Sequence, residues 1–196
     1  LGLPPSTLSD LSMAIGDVNL NGRADLVVSS LRTDQVILLV GTGTGSFQPI
    51  LGYPAGADPC DVAVGDLNGS GLPDLAVTNI SVDTVSLVAG VPGSFLAPVS
   101  QATDAAPCRL ALGDFNEDGR VDVVTANVSG SVSVLLGSGD GSFRPRVQYP
   151  VVADSAVIVE DVNEDGHADL LTSGGDQVQV LVGTGTGSFQ PPLTFD

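Results

Sequence analysis

An all-β fold, built from four copies of a four-stranded antiparallel unit in the manner of a β-propeller, is what this chain of 196 residues predicts. Three observations predict it. A nine-residue phrase, Asp-x-Asn-x-[Asp/Asn/Ser]-Gly-x-x-Asp, returns at Asp17–Asp25, Asp66–Asp74, Asp114–Asp122 and Asp161–Asp169. Its copies start 49, 48 and 47 residues apart, and a fixed period near fifty marks a repeat architecture. Between the copies lie short apolar runs that alternate with period two, a strand pattern, and no stretch supports a helix of useful length.

Each unit contributes four segments in order. The first runs into the loop at Leu11–Ile15, Asp61–Val64, Arg109–Leu112 and Ala156–Val159. The second leaves it at Asp25–Ser30, Asp74–Asn79, Asp122–Asn127 and Asp169–Ser173. The third, Gln35–Val40, Thr84–Ala89, Ser131–Leu136 and Gln177–Val182, is rich in β-branched residues that suit a pleated surface. The fourth opens on a glycine-rich Gly-Ser-Phe turn and continues as Ser46–Tyr53, Ser94–Gln101, Ser142–Tyr149 and Ser188–Phe195. Four short strands per unit make a blade. The whole chain, 1–196, is one domain with blades near 9–55, 56–103, 104–150 and 151–196.

Oxygen side chains at loop positions 1, 3, 5 and 9, with glycine at 6, are what a hard cation asks of a tight turn. Ca²⁺ takes about six to eight oxygens. EF-hands share these positions but need a bidentate Glu at position 12, where this chain has Val28, Val77, Thr125 and Thr172. WD blades need tryptophan, which is absent, kelch blades lean on tryptophan and paired glycines, and thrombospondin-like calcium repeats are cysteine-dense.

The loop Gly-Asp-x-Asn-x-x-Gly-x-x-Asp-[Leu/Val], followed by a strand, a Leu-Leu-Gly-x-Gly-x-Gly-Ser-Phe turn and an outer strand, resembles the FG-GAP/VCBS repeat. That repeat builds the calcium-binding propeller of integrin α subunits and of many secreted bacterial proteins. The resemblance covers essentially the whole chain. With the loop geometry, it implies side-chain oxygens at positions 1, 3, 5 and 9 and a carbonyl at 7, and up to four Ca²⁺ ions. Site 1 is Asp17, Asn19, Asn21, the Arg23 carbonyl and Asp25. Site 2 is Asp66, Asn68, Ser70, the Leu72 carbonyl and Asp74. Site 3 is Asp114, Asn116, Asp118, the Arg120 carbonyl and Asp122. Site 4 is Asp161, Asn163, Asp165, the His167 carbonyl and Asp169. Sites 3 and 4 hold three carboxylates each and rank first; site 2, with two carboxylates and Ser70, ranks last. Each ion is expected to be structural, holding the first strand to the second.

The formal charge of −17 is largely local to these loops, and four bound Ca²⁺ ions would bring it to −9. With no lysine and six scattered arginines, nucleic acid and anionic membranes should be repelled. No apolar run approaches the roughly twenty residues that span a bilayer. Cys60 and Cys108 occupy equivalent places, six residues before a loop, and read as two small buried residues, with a disulfide as the alternative. The Gly-Ser-Phe phenylalanines Phe47, Phe95, Phe143 and Phe189 read as core plugs. Tyr53 and Tyr149 read as edge packing rather than as a platform for sugar. The imidazole of His167 is expected to face solvent, and Glu117 and Glu164 to point outward. The Gly-Thr-Gly-Thr-Gly stretches at Gly41 and Gly183 open no helix, so they bind no dinucleotide.

The function expected is a secreted or cell-surface, non-enzymatic module for adhesion or for binding a protein or glycan ligand. No catalytic residue is assigned: one His, two Tyr and no Lys leave little to act as base or acid. Rivals are a lectin on the same fold, and an accessory or catalytic part of a calcium-dependent polysaccharide lyase or hydrolase. Leu1-Gly-Leu-Pro matches Leu51-Gly-Tyr-Pro, so the chain spans four repeat lengths cut at one phase. It is expected to be part or half of a larger propeller, as a homodimer or packed on further blades of a longer chain, with a self-closed ring as the alternative.

Overall fold

In a computed structural model describing residues 12–31, 33–48, 51–153 and 155–196, all regular structure among the described residues is β. Sheet 1 joins β1 (Met13–Gly16), β2 (Asp25–Ser30), β3 (Gln35–Leu39) and β4 (Leu51–Pro54) in chain order. Sheet 2 joins β5 (Pro59–Gly65), β6 (Asp74–Asn79), β7 (Thr84–Val88) and β10 (Val99–Ala102). A two-stranded ribbon, β8 (Gly90–Val91) and β9 (Ser94–Phe95), projects between β7 and β10. Sheet 3 holds β11 (Pro107–Gly113), β12 (Asp122–Asn127), β13 (Ser131–Leu135) and β14 (Val147–Pro150). Sheet 4 holds β15 (Ala156–Glu160), β16 (Asp169–Gly174), β17 (Gln177–Leu181) and β18 (Leu193–Phe195). Every pairing is antiparallel.

The second and third strands stand where the periodicity predicts them, to within one residue. The fourth begins later than expected, after the prolines Pro98, Pro145 and Pro191–Pro192, which have no N–H to give a ladder. Upstream of them, the Gly-Ser-Phe segment folds back onto the glycine that follows the third strand, pairing Gly41 with Phe47, Gly137 with Phe143, and Gly183 with Phe189. The expectations for Leu1–Pro4 and for Leu11 as a strand residue lie outside the described residues.

Successive side chains of a strand point to opposite faces, so an inner strand between two neighbouring sheets is buried on both sides. β6 and β12 are buried along their whole lengths for this reason. Val27, Val36 and Leu38 of sheet 1 pack with Val62, Leu75 and Val77 of sheet 2. Ala76, Val85 and Leu87 meet Leu110, Val123 and Leu135 of sheet 3. Val124, Val132 and Val134 meet Val157, Leu170 and Leu181 of sheet 4. Consecutive sheets touch mainly through their first strands, β1 with β5, β5 with β11 and β11 with β15, and among the described residues sheet 4 makes no comparable contact with sheet 1.

This side-by-side placement brings residues one repeat apart into contact. Cys60 of β5 and Cys108 of β11 form a disulfide with their Cα atoms 5.2 Å apart, which corrects the reading of two unlinked thiols. Their equivalence in the repeat, taken above as a sign of packing, is itself what makes them neighbours. Asp61 uses the same geometry: its buried carboxylate accepts the Leu110 N–H at 2.9 Å and the Ser12 hydroxyl, strapping three first strands together.

Candidate metal loops and ligand cleft

Each loop joins the first strand of a sheet to the second, and its ninth residue pairs with the residue just ahead of its first: Gly16 with Asp25, Gly65 with Asp74, Gly113 with Asp122, Glu160 with Asp169. The carboxylates at position 1 fold the loop inward. Oδ1 of Asp17, Asp66, Asp114 and Asp161 accepts the position-5 N–H at 2.9–3.2 Å. Oδ2 accepts the N–H of the position-6 glycine at 2.6–2.9 Å. The position-3 amide oxygens of Asn19, Asn68, Asn116 and Asn163 accept the same position-5 N–H at 2.8–3.1 Å. At position 5, Asn21, Ser70, Asp118 and Asp165 accept the N–H of Arg23, Leu72, Arg120 and His167 at 2.9–3.2 Å.

Position 9 is the anchor. Asp25, Asp74, Asp122 and Asp169 are all but fully buried. Oδ2 accepts the position-2 N–H at 2.9–3.1 Å. Oδ1 accepts the N–H of Gly41, Gly90, Gly137 and Gly183, just past the third strand, at 2.7–2.8 Å. A Cβ on any of those four glycines would stand 2.0–2.3 Å from a backbone carbonyl oxygen of the loop, so no side chain is tolerated there. The glycine-rich turn is therefore the far wall of the loop, a role the sequence reading did not assign. It also missed the left-handed backbone at position 4, where Leu20, Gly69, Glu117 and Glu164 have φ of 57–70°.

Electrostatics in the loops is strained by like charge. Burial pushes the Asp122 carboxyl above the usual carboxylate range, and the charges of Asp114 and Asp118 push it further, against the N–H groups of Gly137 and Phe115. Asp74 is raised in the same way, by burial first and by Asp66 as well. Asp165, on the surface, is held low by the His167 N–H. Arg120 and Arg144 lie 3.8 and 3.6 Å from Asp118 and partly neutralise it.

Among the described residues, no three His, Cys, Asp or Glu side chains form a metal-binding group. Even in sites 3 and 4, the three carboxylates of Asp114, Asp118 and Asp122 and of Asp161, Asp165 and Asp169 are therefore not gathered at one point, and sites 1 and 2 have two carboxylates each. The donors at positions 1, 3, 5 and 9 are all oxygen and lie on one short loop. In type and order they fit a hard divalent cation, which would offset both the burial that chiefly raises Asp74 and Asp122 and the like charge that adds to it.

The His167 imidazole and the Glu117 carboxylate both lie at the surface, as expected, and there His167 pairs through Nδ1 with Glu117 of the preceding loop, a contact the sequence did not suggest. The two residues are 50 apart in sequence, one repeat and a step, and the stacking of sheets 3 and 4 brings their loops together. Their contact lifts the histidine above its ordinary value, with Glu117 as the main cause.

The aromatic residues divide by sheet. Tyr53 packs edge-on against Phe95 at 5.1 Å, and Tyr149 packs edge-on against Phe189 at 5.7 Å, accepting the Phe189 N–H on its hydroxyl at 3.1 Å. Both tyrosines are thus packed, as expected. Phe47 departs from the plug reading, since 45% of it is exposed. Between sheets 2 and 3 the tyrosine position is held by Gln101, opposite Val85 as Tyr53 is opposite Val36 and Tyr149 opposite Val132. Among the described residues Phe143 has no ring partner, and a cleft of about 480 Å³ opens there, lined by Gln101, Phe143, Pro145, Arg146 and Gln148. The signal was present in the sequence as Tyr, Gln, Tyr and Phe at positions 53, 101, 149 and 195.

A family model described as an FG-GAP-like repeat matches residues 5–77 and 114–172. No curated protein sequence matches the chain. Among solved structures it is similar to an Agrocybe aegerita lectin described as recognising non-reducing terminal N-acetylglucosamine, with TM-score 0.61 and 23% identity over 92% of this chain and 50% of the lectin. It is also similar to the Vibrio cholerae biofilm matrix protein Bap1 (TM-score 0.58, 18% identity, 93% of this chain and 28% of that one). A protein from Lactobacillus plantarum aligns with TM-score 0.62 and 17% identity over 95% of this chain and 55% of its own. At such identities the likeness is one of fold, and the chain spans about half or less of the length of these three.

Proposed function

The chain belongs to the FG-GAP-like repeat family, and from that membership we propose that it is a calcium-stabilised β-propeller module, secreted or displayed on a cell surface, that binds a protein or glycan ligand without catalysing a reaction. The observation that carries this reading is the fourfold return of one oxygen-lined loop at one place in one kind of sheet, each clamped by a buried aspartate to the glycine after the third strand. Bound Ca²⁺ would supply positive charge between carboxylates that otherwise repel, with the ligand sets named for sites 1 to 4. The Cys60–Cys108 disulfide supports an oxidising, extracellular setting. Non-catalytic binding is supported by the commitment of the sole histidine to Glu117 and by the absence of lysine.

One observation favours the lectin reading within this function. The cleft at Phe143 is the space that a tyrosine ring fills at two other junctions, and amphipathic rings such as sugars stack on aromatic faces. Gln101, Gln148 and Arg146 rim it with hydrogen-bond donors, and Arg146 favours an acidic glycan. Isothermal titration with Ca²⁺ and a glycan array on the Ca²⁺-loaded chain test the two parts separately. Binding of a glycan that Phe143→Ala and Arg146→Ala both abolish supports the lectin reading. A blank array with a protein partner captured instead supports adhesion.

A further inference from the structure

The face of sheet 4 turned away from sheet 3 is apolar across all four strands. Ile158, Leu171, Val180 and Leu193 form one cross-strand row, and Val178 and Phe195 lie in the next. Their counterparts in sheets 1 to 3, such as Val27 and Leu38, Ala76 and Leu87, or Val124 and Val134, are the residues that pack on the following sheet. At the other end of the stack Met13 is 63% exposed, whereas its counterparts Val62, Leu110 and Val157 are buried, and Ile15 is 74% exposed, whereas its counterparts Val64, Leu112 and Val159 are partly buried. The two ends thus offer the two halves of the junction that the chain makes three times within itself. Joining them would close the four sheets into a ring, or link two copies head to tail.

One position does not repeat. The last residue of the first strand is Gly16, Gly65 and Gly113 in sheets 1 to 3, and it is Glu160 in sheet 4. A Cβ on Gly16 would stand 3.1 Å from Val64, one on Gly65 2.8 Å from Leu112, and one on Gly113 3.1 Å from Val159. These neighbours belong to the following sheet and correspond to Ile15 of sheet 1. The glycine is therefore what admits the next sheet's first strand. Two residues earlier, sheets 1 to 3 have Ala14, Ala63 and Ala111, and sheet 4 has the larger Ile158, 56% exposed.

We propose that Glu160 bars the first sheet of this chain, its own or that of a second copy, from the free face of sheet 4. In that junction its side chain would be driven against Ile15, and its carboxylate would lose part of its water. Desolvating a charge that gains no partner is disfavoured, and inward-pointing charges are a known guard on β edges. The four-sheet unit then neither closes on itself nor pairs head to tail. The face admits only a sheet that brings a positive charge opposite Glu160. This inference rests on packing alone and is independent of the calcium and ligand readings.

Light scattering coupled to size exclusion over a wide concentration range decides it, with circular dichroism confirming that each variant is folded. The expected result is a 19.7 kDa monomer for the unaltered chain. The double variant Glu160→Gly/Ile158→Ala should rise with concentration toward twice that mass and return to monomer when Ile15→Asp is added. Ile15→Arg, in a chain that keeps Glu160, should also associate. Dimerisation of the unaltered chain that Ile158→Asp disrupts would overturn the proposal, as would a folded double variant that stays monomeric with an unchanged urea midpoint, since closure on itself would raise that midpoint, or one whose association survives Ile15→Asp.

Discussion

Oδ1 of Asp122 accepts the N–H of Gly137 at 2.7 Å, joining the end of a loop to the residue two beyond the third strand of the same sheet. The other oxygen accepts the Phe115 N–H at 2.9 Å, so one buried carboxylate fixes both ends of the loop. Three further aspartates repeat the arrangement.

Asp122→Asn should therefore destabilise the chain. The amide has one acceptor oxygen for two N–H groups, and its NH₂ must face the donor left over. An unsatisfied buried donor costs about 1–3 kcal/mol, and removal of a charge that burial disfavours offsets part of this, so the loss belongs at the lower end. The urea midpoint measured in chelator reads it. A more stable variant would mean that desolvation of the charge outweighs its hydrogen bonds.

Much of this was legible in the sequence, because a repeat makes each inference four times over. Period-two alternation placed the second and third strands, and the oxygen spacing placed the loops. What escaped was contact between repeats. The Cys60–Cys108 bond, the Asp61 strap and the Glu117–His167 pair all join residues about one period apart, and only the stacking of sheets shows that one period means adjacency. The prolines that delay the fourth strands were visible, yet the Gly-Ser-Phe turn ahead of them looked continuous with the strand.

In chelator, stability should fall as pH rises above the ordinary carboxylate range. Asp74 and Asp122 have folded values above their unfolded ones, so within that window the folded state holds more protons than the unfolded. His167 acts in the same direction: with its folded value raised, its contribution is present below the ordinary histidine value and is lost as pH rises through the folded one. Asp104 and Asp165 have lowered values and act oppositely. Their contribution is present above the ordinary carboxylate value and is lost as pH falls through their folded values. Melting temperature against pH checks this, and a rise in stability from pH 5 to 7 in chelator would contradict it.

Calcium should reverse that cost. Chelation lowers the melting temperature, and Ca²⁺ restores it far better than Mg²⁺, whose octahedral demand suits a short loop poorly. Mass action at a hundredfold excess over Kd gives about 2.7 kcal/mol per site. An unchanged melting curve in excess chelator would sink the structural role of the ion.

Charge count should rank the sites. Asp118→Ala and Asp165→Ala each remove a carboxylate from a three-carboxylate loop and should weaken Ca²⁺ binding more than Ser70→Ala does. Isothermal titration of the three variants gives the order. A larger loss at Ser70 would mean that loop geometry, rather than charge, sets affinity; Arg120 and Arg144 beside Asp118 make that loop the sharper test.

Reduction of the Cys60–Cys108 bond should destabilise the junction between sheets 2 and 3 without unfolding the chain. The bond closes a span of 48 residues, and a link of that length contributes about 2–4 kcal/mol by restricting the unfolded state. The Asp61–Leu110 hydrogen bond and the core of Ala76, Leu87, Leu110 and Val123 still hold β5 to β11 when the sulfurs part. The urea midpoint with and without reductant, and that of Cys60→Ser/Cys108→Ser, should fall together. If reductant has no effect and the double variant matches the parent, the two thiols are unlinked in solution and the junction rests on packing and Asp61 alone.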